Sequence, residues 1–228
     1  MKIALLGNGK TGSKITELSP DDVEVFDSKN IPTLEKLKNV EVIISFLPGE
    51  AFLSFIPLLI QAKKPVVTGS TGFNWPDQFE KTLEAENLVW IHATNFSLGV
   101  VVLKQLIERL SQVQHLFKEQ TISIHEVHHT QKKDAPSGTA LSMKEWLKSP
   151  CEMSSERTGD VVGIHILSME TSGEIIRIEH EAKDRRLFAQ GALWAADYIL
   201  NHPLPPGLHA FQKVVESHLL LSKEFYES

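Results

Sequence analysis

Ile3-Ala4-Leu5-Leu6-Gly7-Asn8-Gly9-Lys10-Thr11-Gly12 begins with four apolar residues and ends in the spacing G-x-G-x-x-G. An apolar run closed by glycine reads as a strand, and Lys10 to Leu18, stopped by Pro20, reads as the helix after it. Val23 to Phe26 reads as a second strand, which Asp27 terminates. A strand, a glycine turn, a helix and a second strand ending in an acid is the layout of a dinucleotide-binding unit. Glycine lets the backbone approach a pyrophosphate, and the helix N-terminus faces its charge. On this reading Gly7, Asn8, Gly9, Lys10, Thr11 and Gly12 cradle the phosphates, and Asp27 accepts hydrogen bonds from the adenosine ribose. The competing reading is a turn that binds no phosphate, with Asp27 capping its own loop.

Working outward, the alternation of strand and helix continues. Val40 to Ser45, Pro65 to Thr68 and Leu88 to His92 read as strands, with helices over Glu50 to Ala62 and Pro76 to Glu86 between them. Such alternation predicts a parallel sheet with right-handed crossovers, whose ligands lie beyond the C-terminal strand ends. Three small, polar or glycine-rich segments fall there: Phe46 to Gly49, Gly69 to Phe73 and Ala93 to Ser97. Each alone is an ordinary loop, but together on one edge they favour a bound cofactor. The candidates there are Gly69, Ser70 and Thr71, and Ala93, Thr94, Asn95 and Phe96.

After Ser97 the pattern changes. A long amphipathic helix, Leu98 to Gln114, precedes an alternating strand, Thr121 to Val127, and a helix over Ser137 to Leu147. Val161 to Met169 and Glu174 to Ala182 read as a hairpin turned at Thr171-Ser172-Gly173, the mark of an antiparallel or mixed sheet. Arg185 to Leu200 and Ala210 to Leu221 are further helices. The expected fold is α/β: a Rossmann-like parallel-sheet dinucleotide domain and a smaller mixed-sheet α/β domain.

The chemistry concentrates in Glu126-Val127-His128-His129-Thr130-Gln131-Lys132-Lys133-Asp134-Ala135-Pro136-Ser137-Gly138-Thr139-Ala140. Histidine can give or take a proton near neutral pH, and lysine supplies fixed positive charge. Ser137, Gly138 and Thr139, where a helix begins, offer hydroxyls and free N–H groups to a carboxylate or phosphate. The bland alternative is a solvated loop with an ordinary helix cap.

Composition narrows the partners. The chain has 228 residues, a formal net charge of −6 and no long basic run, so nucleic acid is not expected. The longest apolar stretch, Ala51 to Ala62, is broken by Pro57 and too short for a bilayer, so no membrane is expected. The first strand starts almost at the first residue, which leaves no room for a targeting peptide and suggests a cytoplasmic protein. Cys151 is the only cysteine, and the ten histidines show no H-E-x-x-H spacing, so no metal is expected.

His128-His129-x-x-Lys132-x-Asp134-Ala135-Pro136-Ser137-Gly138-Thr139-Ala140 closely resembles the signature of the 4-hydroxy-tetrahydrodipicolinate (dihydrodipicolinate) reductase family. Gly69 to Phe73, Asn95 to Val100, Arg157 to His165 and Phe188 to Ala192 are similar to further landmarks of that family, in order along the chain. The resemblance implies a nucleotide-binding domain over 1–97, to which 187–228 return, and a substrate-binding and tetramerisation domain over 98–186. It implies a homotetramer acting on a small cyclic dicarboxylate in lysine and diaminopimelate synthesis. A hydride leaves C4 of the nicotinamide and a proton quenches the charge that reaches the ring nitrogen. By position, His128 matches the general acid, Lys132 the residue that assists protonation and holds substrate, and His129 a carboxylate-binding residue. Ser137, Gly138 and Thr139 match the carboxylate seat.

The chain also departs from the family pattern. Its glycine loop is one residue shorter, Ser45 stands where an acid often precedes Phe46, and the first domain is trimmed between its second and third strands. Ser28 stands where an arginine often meets the NADPH phosphate. Because Asp27 would repel a 2′-phosphate, NADH is the expected cofactor, with NADPH also possible through Lys29. Two other readings compete: another small NAD(P)-dependent dehydrogenase, and a non-catalytic cofactor-binding protein.

Overall fold

The computed structural model describes residues 1–224, with side chains through residue 219. The chain divides into two compact units. One comprises Met1–Ser97 together with the segment that begins at Arg185, and the other is Leu98–Asp184. The division after Ser97 is where the sequence pattern changes. The second boundary lies at Asp184 rather than 186, because the helix Arg186–Asn201 belongs with the first unit. Of the returning stretch 187–228, residues 225–228 lie outside the described residues.

The first unit is built on a six-stranded sheet, ordered β10-β5-β4-β3-β1-β2. Its strands are β1 (Ile3–Leu6), β2 (Val23–Phe26), β3 (Val42–Ser45), β4 (Val66–Thr68), β5 (Val89–His92) and β10 (Gly207–Ala210), and every pairing is parallel. β1, β3 and β4 are buried at every position, as strands covered on both faces must be. Helices α1 (Gly12–Leu18), α2 (Leu34–Leu37), α3 (Gly49–Ala62), α4 (Phe79–Ala85), α7 (Arg186–Asn201) and α8 (Phe211–Glu224) complete the unit. The chain reverses its direction of winding between β1 and β3, so the loops after those strands flank the switch point where such sheets bind ligands.

The second unit has a four-stranded mixed sheet, ordered β7-β6-β8-β9. β6 (Thr121–His128) pairs parallel with β7 (Glu152–Arg157) and antiparallel with β8 (Gly163–Glu170), which pairs antiparallel with β9 (Ile175–Ala182). Helices α5 (Leu98–Val113) and α6 (Gly138–Leu147) cover one face. Leu103, Ile107 and Leu110 of α5 and Met143 and Leu147 of α6 pack there on Ile122, Ile124, Leu167 and Met169.

Two strands and one α-helix escaped the sequence reading. β7 reads Glu-Met-Ser-Ser-Glu-Arg, without the branched or aromatic residues that mark a strand; pairing with β6 holds it extended. β10 follows Pro205-Pro206 and forms only by pairing with β5. α2 is a single turn capped by Thr33, whose hydroxyl accepts the Lys36 N–H. Two expected helices are shorter than read. α1 starts at Gly12 rather than Lys10, and α4 starts at Phe79 rather than Pro76, after Gln78 in a left-handed conformation.

Candidate active site

Along β6 the residues facing the helices are Ile122, Ile124, Glu126 and His128, all buried while their neighbours are not. On β8 the matching row is Met169, Leu167, His165 and Gly163. Apolar faces apolar under the helices, and Glu126 faces His165 across the pair where the row leaves that cover. One strand thus turns from core to chemistry without changing its side-chain period.

Glu126 is fully buried (0% exposed), and a lone buried carboxylate would be costly. Three donors secure it. The Ser137 N–H reaches Oε1 at 3.0 Å and Arg157 Nη2 reaches the same oxygen at 2.9 Å, while Ser155 adds a side-chain hydrogen bond. Burial pushes the acid's pKa up, but the hydrogen bonds from Ser137, Arg157 and Ser155 outweigh it and take it down to about 2. Arg157 is anchored in turn by the carbonyls of Glu156 and Asp134.

His128 Nδ1 lies 3.2 Å from Glu126 Oε2, yet neither atom has a well-angled hydrogen-bond partner among the described residues. Burial holds the His128 pKa below the ordinary histidine value; Glu126 opposes this, and Lys132 and Arg157 reinforce it. Desolvation thus outweighs the neighbouring carboxylate. His165, 3.9 Å from Glu126 Oε2, is lowered further, to about 4, by burial first and by His128 next. The ligand atoms of Glu126, His128 and His165 lie within 4.8 Å of one another, a spacing that could hold a cation. The Arg157 guanidinium on the same carboxylate opposes one.

The other residues of the run sit around this corner. Lys132 Nζ is 2.8 Å from Asp134 Oδ1, and its backbone N–H bonds to the His129 carbonyl. His129 is half-buried just beyond β6. Ser137 differs from expectation, because it is only 2% exposed and its groups are already engaged. Its hydroxyl caps α6 by accepting the Ala140 N–H and lies 3.2 Å from His165 Nε2, while its N–H serves Glu126. The open donors of the helix start are the N–H groups of Gly138 and Thr139, which have no acceptor within a helix.

In the first unit the glycine loop sorts its residues by physical demand. Gly7 has φ +94°, and a side chain there would press on the Phe46 backbone at 3.1 Å. A Cβ on Gly12 would meet the Gly7 carbonyl oxygen at 2.0 Å, so this glycine lets α1 pack on the turn. Gly9 has open space around it and, with Asn8 and Lys10, is exposed. Asp27 is exposed, and its Oδ1 accepts the N–H groups of Lys29 and Asn30 at 2.8 and 3.0 Å. Those two bonds hold its carboxyl below the usual range. The loop-capping reading is thus realised at Oδ1.

Along the remaining strand ends, Ser70 and Phe96 are turned inward. Ser70 Oγ is buried 3.2 Å from Ser45 Oγ, and the Phe96 ring packs between Phe46 and Phe211. The exposed or half-exposed residues are Gly69 and Thr71 in one segment and Ala93, Thr94 and Asn95 in the other. Asn95 Oδ1 accepts the Ser97 N–H at 2.8 Å.

Glu126, Arg157 and His165 are the site residues that sequence reasoning left without a role. For Glu126 and His165 a signal existed: each ionisable group stands at an inward position of an otherwise apolar period-two row. For Arg157 there was none, because β7 itself was not legible.

Residues 6–96 match the family model described as dihydrodipicolinate reductase, N-terminus, and residues 99–215 match the one described as its C-terminus. A 4-hydroxy-tetrahydrodipicolinate reductase of Christiangramia forsetii is 33% identical, covering 87% of this chain and 92% of its own. One from Bdellovibrio bacteriovorus is 30% identical, covering 94% and 96%. Among solved structures, a dipicolinate-bound dihydrodipicolinate reductase from Paenisporosarcina sp. TG-14 shares the fold. Its TM-score is 0.72 at 20% identity, covering 92% of this chain and 97% of that one. No described helix is long and apolar enough to cross a membrane.

Proposed function

The chain belongs to the dihydrodipicolinate reductase family and is an NAD(P)H-dependent oxidoreductase of lysine and diaminopimelate synthesis; we propose that His128 is its proton donor. The substrate is 4-hydroxy-tetrahydrodipicolinate, a small dicarboxylate. NAD(P)H, when bound, supplies the hydride from nicotinamide C4.

The first unit offers that cofactor a seat. Gly7, Asn8, Gly9, Lys10, Thr11 and Gly12 would take the phosphates, with open space at Gly9 for their approach. Asp27 Oδ2 would take the ribose. Because Lys29 and Asn30 keep this carboxyl ionised, it would repel a 2′-phosphate, which favours NADH over NADPH. Gly69 and Thr71 with Ala93, Thr94 and Asn95 would border the nicotinamide side, and Ser70 and Phe96 would support those segments from within.

In the second unit, Lys132, His129 and the N–H groups of Gly138 and Thr139 would hold the two carboxylates, and Ser137 would fix that helix start. A dianion placed against His128 counters the loss of solvation that lowers its pKa, so the proton would arrive with the substrate. His128 Nε2 would then give that proton to the ring nitrogen, and Lys132 would steady the charge during transfer.

The observation that carries this reading is the buried histidine on the last residue of β6, beside a fixed carboxylate and two residues from the start of the Lys132 turn. Neither competing reading has an observation in its favour, and a non-catalytic protein would need no intact donor and lysine. The assembly we propose is a homotetramer, supported by the sheet face opposite α5 and α6. There Val127, Ile164 and Ile166 lie half-buried with no helix of the second unit over them.

The direct test is oxidation of NADH and of NADPH with enzymatically generated substrate. Turnover with both, faster with NADH, is expected. No oxidation of either would refute the activity, and a preference for NADPH would refute the role of Asp27.

A further inference from the structure

We propose that Glu126 is the positioning residue of the proton transfer: held by Arg157 and Ser137, its carboxylate keeps the neutral His128 ring protonated at Nδ1, so that the proton given to substrate is always the one on Nε2. This rests on His128 being the donor.

The carboxylate is anchored at Oε1. Oε1 takes the Ser137 N–H and the Arg157 guanidinium, and Arg157 is itself tied to two backbone carbonyls. Oε2 lies 3.2 Å from His128 Nδ1 without a well-angled hydrogen bond, and both atoms are sealed from solvent. If the neutral ring carried its proton on Nε2, two buried acceptors would face each other at that distance. A proton on Nδ1 turns the same contact into an electrostatic attraction between a polar N–H group and an anion.

At the opposite edge of the ring, the missing side chain of a glycine leaves room. Gly163 of β8 lies beside it, and a Cβ there would come within 3.0 Å of Nε2. Nε2 makes no hydrogen bond among the described residues, which leaves it for a ligand. The ionisable groups around His128 are Glu126 on its own strand, Arg157 on β7, His165 on β8 and Lys132 and Asp134 in the connection to α6. His165 stays neutral near pH 7, so it does not compete there with His128 for the Glu126 charge. After transfer, the ring returns to the neutral Nδ1–H form that the carboxylate favours, ready to accept a proton again at Nε2.

Nitrogen-15 spectra of the histidine-labelled wild-type protein, above the pH at which His128 titrates, test this without any substitution. His128 is identified by the signals lost in His128→Gln. Nδ1 should be the proton-bearing nitrogen; a ring protonated mainly at Nε2 would overturn the proposal. Kinetics separate this from the donor assignment. Glu126→Gln should lower kcat about 10²–10⁴-fold, as expected when a histidine loses its orienting carboxylate. KM should stay within about threefold, as for an interaction made in the transition state. The alkaline fall of kcat should move to lower pH, because the imidazolium has lost its anion. Glu126→Gln combined with His128→Gln should be no slower than His128→Gln alone. A crippled His128→Gln beside a normal Glu126→Gln would refute the positioning role and leave the donor; a normal His128→Gln would refute both.

Discussion

The glycine-rich edge of the first unit and the end of β6 in the second make two kinds of site. At the first, backbone geometry shapes the place: Gly7 turns, Gly12 lets a helix close on the turn, and the exposed groups wait around them. At the second, side chains do the shaping. A buried carboxylate, a guanidinium and two imidazoles fix one another at the end of an apolar row. A backbone site tolerates change wherever no atom is near, whereas a buried charged site transmits change to every partner.

Lys132→Ala should expose the second kind most strongly. Removing a charge-assisted partner of a dianion should lower kcat/KM about 10²–10³-fold, raising KM as well as lowering kcat. Steady-state constants like those of the wild type would remove Lys132 from the site.

Acid should strain the same corner. His165 has its folded pKa lowered to about 4, so the unfolded chain binds more protons as pH falls from 6.5. Stability should therefore be full above about 6.5 and decline toward 4. Glu126, lowered from 4.5 to about 2, adds stability that is full above 4.5 and lost toward 2. Both act in the same direction, and together they should cost on the order of a few kcal/mol by pH 3. Urea midpoints that stay flat between pH 7 and pH 4 would contradict the burial of a neutral His165.

At the backbone site the contrast lies within one loop. Gly12→Ala must move the Gly7 carbonyl and should cost about 1–3 kcal/mol of stability, as overpacking does. Gly9→Ala should change stability by less than about 0.5 kcal/mol yet weaken NADH binding. Denaturant melts and cofactor titrations of the two variants should separate fold from function; equal effects would erase the distinction.

These differences also explain what could be read in advance. The central parallel strands were legible because strands buried on both faces are almost wholly apolar, as in β1 and β3. The glycine loop was legible because a positive φ and a close approach leave glycine in the sequence. His128, Lys132 and Gly138 stood out because proton donors, cations and a helix start share one short run. Glu126 and Arg157 did not, because their meaning is a contact between β6 and β7, and β7 carries no strand signal of its own. Ser137 was legible as a cap, but its burial against Glu126 and His165 was not.

A smaller effect belongs to Asp27. Asp27→Ser should raise the NADPH-to-NADH ratio of kcat/KM about tenfold, the scale of one screened charge near a phosphate. An unmoved ratio would take Asp27 out of the ribose site and leave it only its hold on Lys29 and Asn30.

The sharpest single measurement is the turnover of His128→Gln alongside its affinity for NADH. If the end of β6 donates the proton, NADH should bind within about twofold of wild type while kcat falls about 10²–10⁴-fold, the usual contribution of a general acid. A variant that turns over at the wild-type rate would place the proton donor elsewhere.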